Sequence, residues 1–259
     1  MTRYDFTTQP NRLDQNTMKW HEAESNPELL ELWVADMDFL PVPEIRDAVI
    51  NYAETHIFGY PYPSEELYQS IINWEKNQHG YVVDKESIVL IEGVVPAIST
   101  AIQAFTKEGD AVLINTPVYP PFARSVRLNN RRLIENSLVK VNGHFEIDFE
   151  QLERDIVEND VKLYVFCSPH NPGGRVWTKE ELTKVADLCQ KHGVLLVSDE
   201  IHQDLALYGN KHISMNTISD AYKDFTLVLS SATKTFNIAG TKNSFTIIEN
   251  EDLRKAFKQ

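Results

Sequence analysis

Apolar and polar positions alternate differently on the two sides of about residue 87. Up to residue 41 no period is sustained, because Asn, Gln and Asp interrupt every short apolar run, and irregular structure is expected. That stretch closes with Leu32-Trp33-Val34-Ala35-Asp36-Met37-Asp38-Phe39, two acids among large apolar side chains, which fits either a docking segment or a solvated turn. From Pro43 to His56 the spacing predicts a helix with Ile45, Val49 and Tyr52 on one face and proline near its start. Phe58-Gly59-Tyr60-Pro61-Tyr62-Pro63 interrupts it, since two prolines and a glycine forbid regular structure. Ser64 then caps a helix running to about His79, with Glu65 and Glu66 in its first turn and Gly80 at its end.

From Ser87 onward, short apolar runs alternate with helical patterns. Strands are expected at 88–91, 111–114, 163–167, 194–197, 227–230 and 245–248. Helices are expected from Gly93 to Lys107, ahead of the 132–141 run, from Asp148 to Val157, from Thr178 to His192, and as a charged helix from Asn250 to Gln259. Asp148 with Gln151, and Thr178 with Glu181, have capping-box spacing. Strands that are almost wholly apolar are buried on both faces, so the pattern predicts an α/β fold with a mostly parallel sheet flanked by helices.

Composition changes this picture little. The 259 residues suffice for one large or two smaller domains, and 42% hydrophobic with 24% charged is ordinary for a globular chain. A net charge of −13 argues against a nucleic-acid surface. No apolar run approaches the ~18 residues of a membrane span, and Met1-Thr2-Arg3-Tyr4-Asp5-Phe6 has no signal-peptide pattern. The two cysteines, Cys167 and Cys189, are separated and flanked by apolar residues, which suits a reducing, cytoplasmic setting better than a disulfide framework. Neither has metal-ligand spacing, the eight histidines form no HExxH, and no metal site is expected.

In a parallel sheet, ligands bind at the carboxyl ends of the strands, so the residues that follow each strand carry the chemistry. Gly93-Val94-Val95 opens a helix whose exposed N–H groups and dipole favour an anion; a plain tight turn is the competing reading. The pattern is neither GxGxxG nor a P-loop. Tyr119 sits between prolines as a candidate stacking ring or a core tyrosine. Asn171, in Ser168-Pro169-His170-Asn171-Pro172-Gly173-Gly174, is an amide aimed by neighbouring prolines, or one residue of an ordinary turn. Asp199, at the end of a buried strand in Ser198-Asp199-Glu200-Ile201-His202, needs a partner. A protonated pyridine nitrogen would supply one, worth roughly 4 kcal/mol at ~4 Å and an effective dielectric of 20, about three pK units; a helix cap is the alternative. Lys234 lies just past the strand ending at Ser230, flanked by Ser231, Thr233 and Thr235. An amine with neighbouring hydroxyls can bind the aldehyde and phosphate of pyridoxal 5'-phosphate (PLP), and a lysine Schiff base is an established form of covalent catalysis. An anion-binding turn, an aromatic ring, an amide, a carboxylate and this lysine at one sheet edge together fit PLP.

These motifs, with Val34-Ala35-Asp36-Met37-Asp38-Phe39 and Phe58-Gly59-Tyr60, resemble the fold-type I PLP enzymes of the aminotransferase class I/II superfamily. More narrowly they resemble the MalY/PatB group of carbon–sulfur β-lyases, the cystathionine β-lyases. The resemblance implies a PLP-transferase-like large domain at 42–259. It places residues 1–41 on the substrate side, as part of the small domain, and implies that the C-terminal small domain, with its carboxylate-clamping arginine, is absent from this sequence. It implies that Lys234 holds PLP and moves the substrate's Cα proton, that Asp199 pairs with the pyridine nitrogen, and that Asn171 donates to the phenolic oxygen. Tyr119 would stack on the ring. Val94, Val95, Ser231 and Thr233 would hold the phosphate, and Lys242 would stand where many relatives have an arginine. Tyr60 would reach the phosphate of the neighbouring subunit of a homodimer, and His202, where most aminotransferases have tyrosine, points to the lyases. The implied reaction cleaves cystathionine or a cysteine S-conjugate to a thiol, pyruvate and ammonia. An aminotransferase of the same fold and a non-catalytic PLP-binding remnant are the two other readings.

Overall fold

The computed structural model describes residues 4–26 and 28–259; Met1–Arg3, part of the Met1–Phe6 stretch read above for a signal-peptide pattern, lie outside the described residues. The described residues pack as two compact units, Met1–Tyr62 with Ala232–Thr241, and Pro63–Ser231 with Lys242–Gln259.

The larger unit begins with helix α2 (Glu65–Trp74), whose cap Ser64 accepts the Leu67 N–H. Its last turn widens into a π-helical segment, Glu75–His79, and Gly80 ends it in the left-handed conformation at φ 69°. Strand β1 (Ile88–Ile91), α3 (Val94–Phe105), β2 (Ala111–Thr116), α4 (Pro121–Leu128) and β3 (Arg132–Ser137) follow. A hairpin of β4 (Val139–Val141) and β5 (His144–Glu146) leads to α5 (Phe149–Glu158) and β6 (Val161–Cys167). Then come α6 (Lys179–His192), β7 (Leu195–Asp199) and β8 (Thr226–Ser230), and, after the excursion through the smaller unit, β9 (Ser244–Ile247) and α8 (Glu251–Phe257).

Seven strands form one sheet in the order β1-β9-β8-β7-β6-β2-β3. The run β8-β7-β6-β2-β3 is parallel, and β9 lies antiparallel between β8 and β1. The mixed, mostly parallel sheet flanked by helices is the architecture expected from the sequence. Two cores explain why the strands read as continuous apolar runs. Leu163, Val165 and Cys167 of β6 face α3, α4 and α8, packing with Ile98, Ile102, Phe122 and Phe257. Tyr164 and Phe166 face the other way, with Leu152, Leu182, Val185 and Trp177. Each face of the strand is therefore apolar, and the period-two alternation vanishes from the sequence.

Three local differences have physical causes. The run from Arg132 to Val141 splits at Leu138, with β3 pairing β2 in the large sheet and β4 pairing β5 in a separate hairpin, whose turn Val141-Asn142-Gly143-His144 has φ of 49° and 86° at its centre. Asn-Gly between alternating apolar positions is a hairpin signal. The capping box at Asp148 is half made: Asp148 accepts the Gln151 N–H at 3.0 Å, but the Gln151 amide turns to Asp155 at 2.7 Å. The box at Thr178 and Glu181 is complete. Strand β9 runs antiparallel, a direction that hydrophobic pattern does not encode.

The smaller unit is largely irregular. It holds helix α1 (Pro43–Thr55), in which no residue is buried despite the apolar positions Ile45, Val49 and Tyr52, and the short helix α7 (Ala232–Thr235).

Candidate active site

In the larger unit the sequence-predicted residues gather at the carboxyl ends of the parallel strands. Two residues after β1, α3 starts at Val94, with Val94 buried and Val95 half-buried. The first-turn N–H groups of a helix lack intrahelical partners, and here no acidic side chain competes for them. An anion is thus the complementary ligand.

The loops after β2 and β6 are tied together: the Tyr119 N–H donates to the Asn171 carbonyl at 3.1 Å. Tyr119 remains 42% exposed, so its ring is not a core ring. Asn171 is positioned by a thiol, since its N–H donates to Cys167 Sγ at 3.3 Å and that thiol donates to the Pro169 carbonyl at 3.3 Å. Burial pushes the Cys167 thiol well above the usual range, so it remains a hydrogen-bonding group and not a nucleophile. His170 folds inward, accepts the Gly173 N–H at 3.2 Å, and is pushed down to about 4 by burial and by Arg175. Gly173 is required here, because a Cβ would lie 2.7 Å from His170 Nδ1.

Asp199 ends β7, paired in register with Cys167 of β6 and Leu229 of β8. It is 4% exposed, and its Oδ1 accepts only a local turn bond from the Ile201 N–H at 3.1 Å. No helix follows for it to cap; the chain turns into the short 3-10 segment Gln203–Leu205. Burial, with Glu200 adding to it, pushes the Asp199 carboxyl up to about 7. The neighbouring Glu200 is satisfied differently, by Ser198, His212 and the Met215 N–H at 2.8, 2.8 and 3.0 Å. His202 is half-buried and precedes the same 3-10 turn. Ser231 is buried, with its hydroxyl donating to the Asn243 carbonyl at 2.5 Å, and Lys242 is exposed at φ 47°.

The smaller unit holds the other predicted residues. Lys234 lies on α7, three residues after Ser231 in the chain, and its Nζ donates to the Ala35 carbonyl at 3.0 Å. Burial lowers its pKa, with Asp36 acting in the opposite direction. Thr233 is buried, while Tyr60 is fully exposed. The acids Asp36 and Asp38 form neither a bare solvated turn nor an open docking strip. Arg12 bridges them at 2.8 and 2.7 Å, Lys19 binds Asp38 at 2.6 Å, and Trp20 Nε1 donates to Asp38 at 2.9 Å. Arg12 and Lys19 were not legible as site residues, because nothing local to them marks partners about twenty positions away.

Comparison with known proteins accords with this geometry. The model of the family described as aminotransferase class I and II matches residues 27–259. Cystathionine beta-lyase PatB of Bacillus subtilis is 41% identical over 256 residues, covering 98% of this chain and 66% of that protein. Protein MalY of Escherichia coli is 34% identical over 231 residues, covering 89% of this chain and 58% of that protein. Cystalysin from Treponema denticola, whose crystal structure contains a pyridoxal 5'-phosphate cofactor, matches with a TM-score of 0.94 at 40% identity, covering 98% of this chain and 66% of that one. The chain thus spans just under two thirds of the length of PatB and of cystalysin, and less of MalY. With a family model matched from residue 27 to the last residue, and relatives this similar over nearly its whole length, the chain belongs to the aminotransferase class I and II family.

Proposed function

We propose that this chain binds pyridoxal 5'-phosphate and serves a carbon–sulfur β-lyase that cleaves cystathionine or a cysteine S-conjugate to a thiol, pyruvate and ammonia. The observation that carries the reading is Asp199. A carboxyl group 4% exposed, held by one turn bond and pushed up to about 7, is a costly thing to bury unless a cation faces it. The pyridinium nitrogen of PLP is such a cation. A lysine whose pKa is lowered by burial fits the same cofactor, because the neutral amine is the form that reacts with its aldehyde.

When bound, PLP supplies the electron sink that makes the substrate's Cα–H acidic and its β-substituent a leaving group. Asp199 keeps positive charge at the ring nitrogen. Asn171 donates its amide to the ring oxygen, and Tyr119 offers an aromatic face. The N–H groups of Val94 and Val95, the hydroxyl of Thr233, and Lys242 would receive the phosphate, and Ser231 would join them by turning its hydroxyl away from the Asn243 carbonyl. Lys234 Nζ would take the Cα proton from the substrate, the Cβ–S bond would break with its electron pair leaving on sulfur as the thiol, and water would hydrolyse the released three-carbon enamine to pyruvate and ammonia. His202 is assigned to the cofactor's surroundings. Residues 1–41 are assigned to the substrate side and 42–259 to the cofactor-binding domain.

A homodimer belongs to this reading. It is supported by helix α1, which buries no residue, and by exposed Ile57, Phe58, Tyr60 and Tyr62 beside it in sequence; Tyr60 would serve the neighbouring subunit. The free, buried Cys167 and Cys189 support a cytosolic setting. No helix among the described residues is long and apolar enough to cross a membrane.

The test has two steps. The purified chain is incubated with PLP, reduced with borohydride and mapped by mass; a phosphopyridoxyl label on Lys234 is expected. Incubation with L-cystathionine then gives pyruvate without any keto-acid acceptor. Pyruvate that appears only when an acceptor is supplied would make the chain an aminotransferase, and absence of the label from folded protein would remove the PLP reading.

A further inference from the structure

Within the smaller unit, two segments 200 positions apart are joined through one side chain. Asn237 Oδ1 accepts the Met37 N–H at 2.9 Å, and Asn237 Nδ2 donates to the Met37 carbonyl at 2.8 Å. This reciprocal pair imitates a rung of an antiparallel ladder, with a side-chain amide in place of one strand. Asn237 itself is left-handed at φ 55°, a conformation that asparagine tolerates better than most residues.

The segment it grips has a definite shape. The Asp36 N–H donates to the Val34 carbonyl at 2.8 Å, closing a three-residue turn centred on Ala35. The Ala35 carbonyl receives Lys234 Nζ at 3.0 Å. On the other side of the turn, Arg12 and Lys19 hold Asp36 and Asp38, and Lys19 Nζ also donates to the Asp36 carbonyl at 2.7 Å. Residues 34–38 are therefore anchored by cations at one side and by Asn237 at the other, with the lysine contact between them. On the α7 side the chain adds its own restraint, as the Phe236 N–H donates to Ala232 and the Ile238 N–H to Thr233, at 3.0 and 2.9 Å.

We propose that Asn237 is a positioning residue for Lys234: by pairing with both main-chain groups of Met37 it holds the Ala35 carbonyl against the lysine nitrogen. The consequence is a half-buried lysine kept in one orientation before any cofactor arrives. Its relevance to catalysis rests on the PLP reading above; its existence does not.

The experiment uses the cofactor-free chain. Lys234 is acetylated competitively with acetic anhydride across a range of pH, and the labelling midpoint is read by mass mapping. In parallel, hydrogen exchange is followed at the Met37 amide. Asn237→Gly removes the amide while leaving the left-handed backbone unstrained. Asn237→Ser, neutral and too short to reach both Met37 groups, is the second variant should glycine destabilise the chain. The expected result is faster exchange at Met37 and a Lys234 midpoint lowered further by about half a pH unit or more, because the ammonium loses its carbonyl acceptor. Unchanged exchange at Met37, or faster exchange with an unmoved Lys234 midpoint, overturns the proposal. Since PLP is absent throughout, failure of borohydride labelling in the parent chain would count against the cofactor reading alone.

Discussion

At the scale of single residues, the larger unit buries acids that have little to gain from ionising. Glu75 is 1% exposed, accepts from Gln203 at 2.7 Å, and is pushed up to about 7 by burial. The groups that act on it are His79, Glu200 and Asp204; His79 is itself bound to Asp204 at 2.8 Å and raised by its acidic neighbours against the effect of burial. In the unfolded chain Glu75 ionises near 4.5, so between about 4.5 and 7 the folded state holds the extra proton. The sign follows: stability falls as pH rises through that window, by about 3 kcal/mol for this group. Asp199 acts in the same direction up to about 7, and the stabilisation from protonated His79 is also lost as pH rises through its raised pKa. His170, pushed down to about 4, opposes this below pH 6.5, but Glu75 and Asp199 together outweigh one histidine, so the cofactor-free chain is expected to melt at a higher temperature near pH 5 than near pH 8, with the difference reduced in Glu75→Gln. A wild-type melting temperature that is flat or rising over this range would contradict the assignment. Cys167 allows a second expectation at this scale. Cys167→Ala leaves the Asn171 N–H without its sulfur acceptor, costing about 1–3 kcal/mol, whereas Cys167→Ser keeps an acceptor and costs less. Urea denaturation of the two variants compares them.

Among elements, α6 shows how local chemistry fixes a boundary. Thr178 Oγ1 accepts the Glu181 N–H at 3.2 Å, and Glu181 returns a bond to the Thr178 N–H at 2.8 Å. The same Glu181 carboxylate takes Arg175 at 2.7 and 2.8 Å, and Arg175 lies over the Trp177 ring. One glutamate thus starts the helix and braces the loop that carries Asn171. Thr178→Ala is expected to cost about 1 kcal/mol, the usual value of a lost N-cap. Glu181→Ala costs more, because it removes both sides of the brace, and a larger drop in urea midpoint than for Thr178→Ala checks this. In the β4–β5 hairpin, Gly143 at φ 86° has open space around its Cα, so the cost of Gly143→Ala, about 1 kcal/mol, comes from backbone conformation and not from a clash.

For the molecule as a whole, the sheet of the larger unit is covered on both faces, while α1 of the smaller unit has no fully buried residue. Val49, Ile50, Ile57 and Phe58 are exposed there, a grouping that water alone rarely faces. Sedimentation of the purified chain is expected to give a dimer, and charge placed at this surface by Ile57→Glu with Phe58→Glu is expected to shift it toward monomer. A monomeric parent chain would remove the dimer from the proposed function.

The strands, helices and strand-end loops of the larger unit were legible in the sequence because their causes are local. Apolar runs buried on both faces announce a parallel sheet, Ser64 and Thr178 mark helix starts, and Gly80 and Gly193 mark ends. Candidate chemistry in the larger unit was legible for a related reason: Asn171 lies just past the end of β6 and Asp199 ends β7, and position at a strand's carboxyl end is what marked them. Tertiary structure decided what depends on distant partners. It reversed β9 between two strands that pattern treats alike, and left no residue of α1 fully buried. It also turned Asp36 and Asp38 into an ion network with Arg12 and Lys19, and matched Asn237 to Met37 across 200 positions. Hydrophobic period and capping chemistry act within a few residues, whereas an ion pair or a side-chain amide is satisfied by whatever the folded chain brings within about 3 Å, and no local signal names that partner.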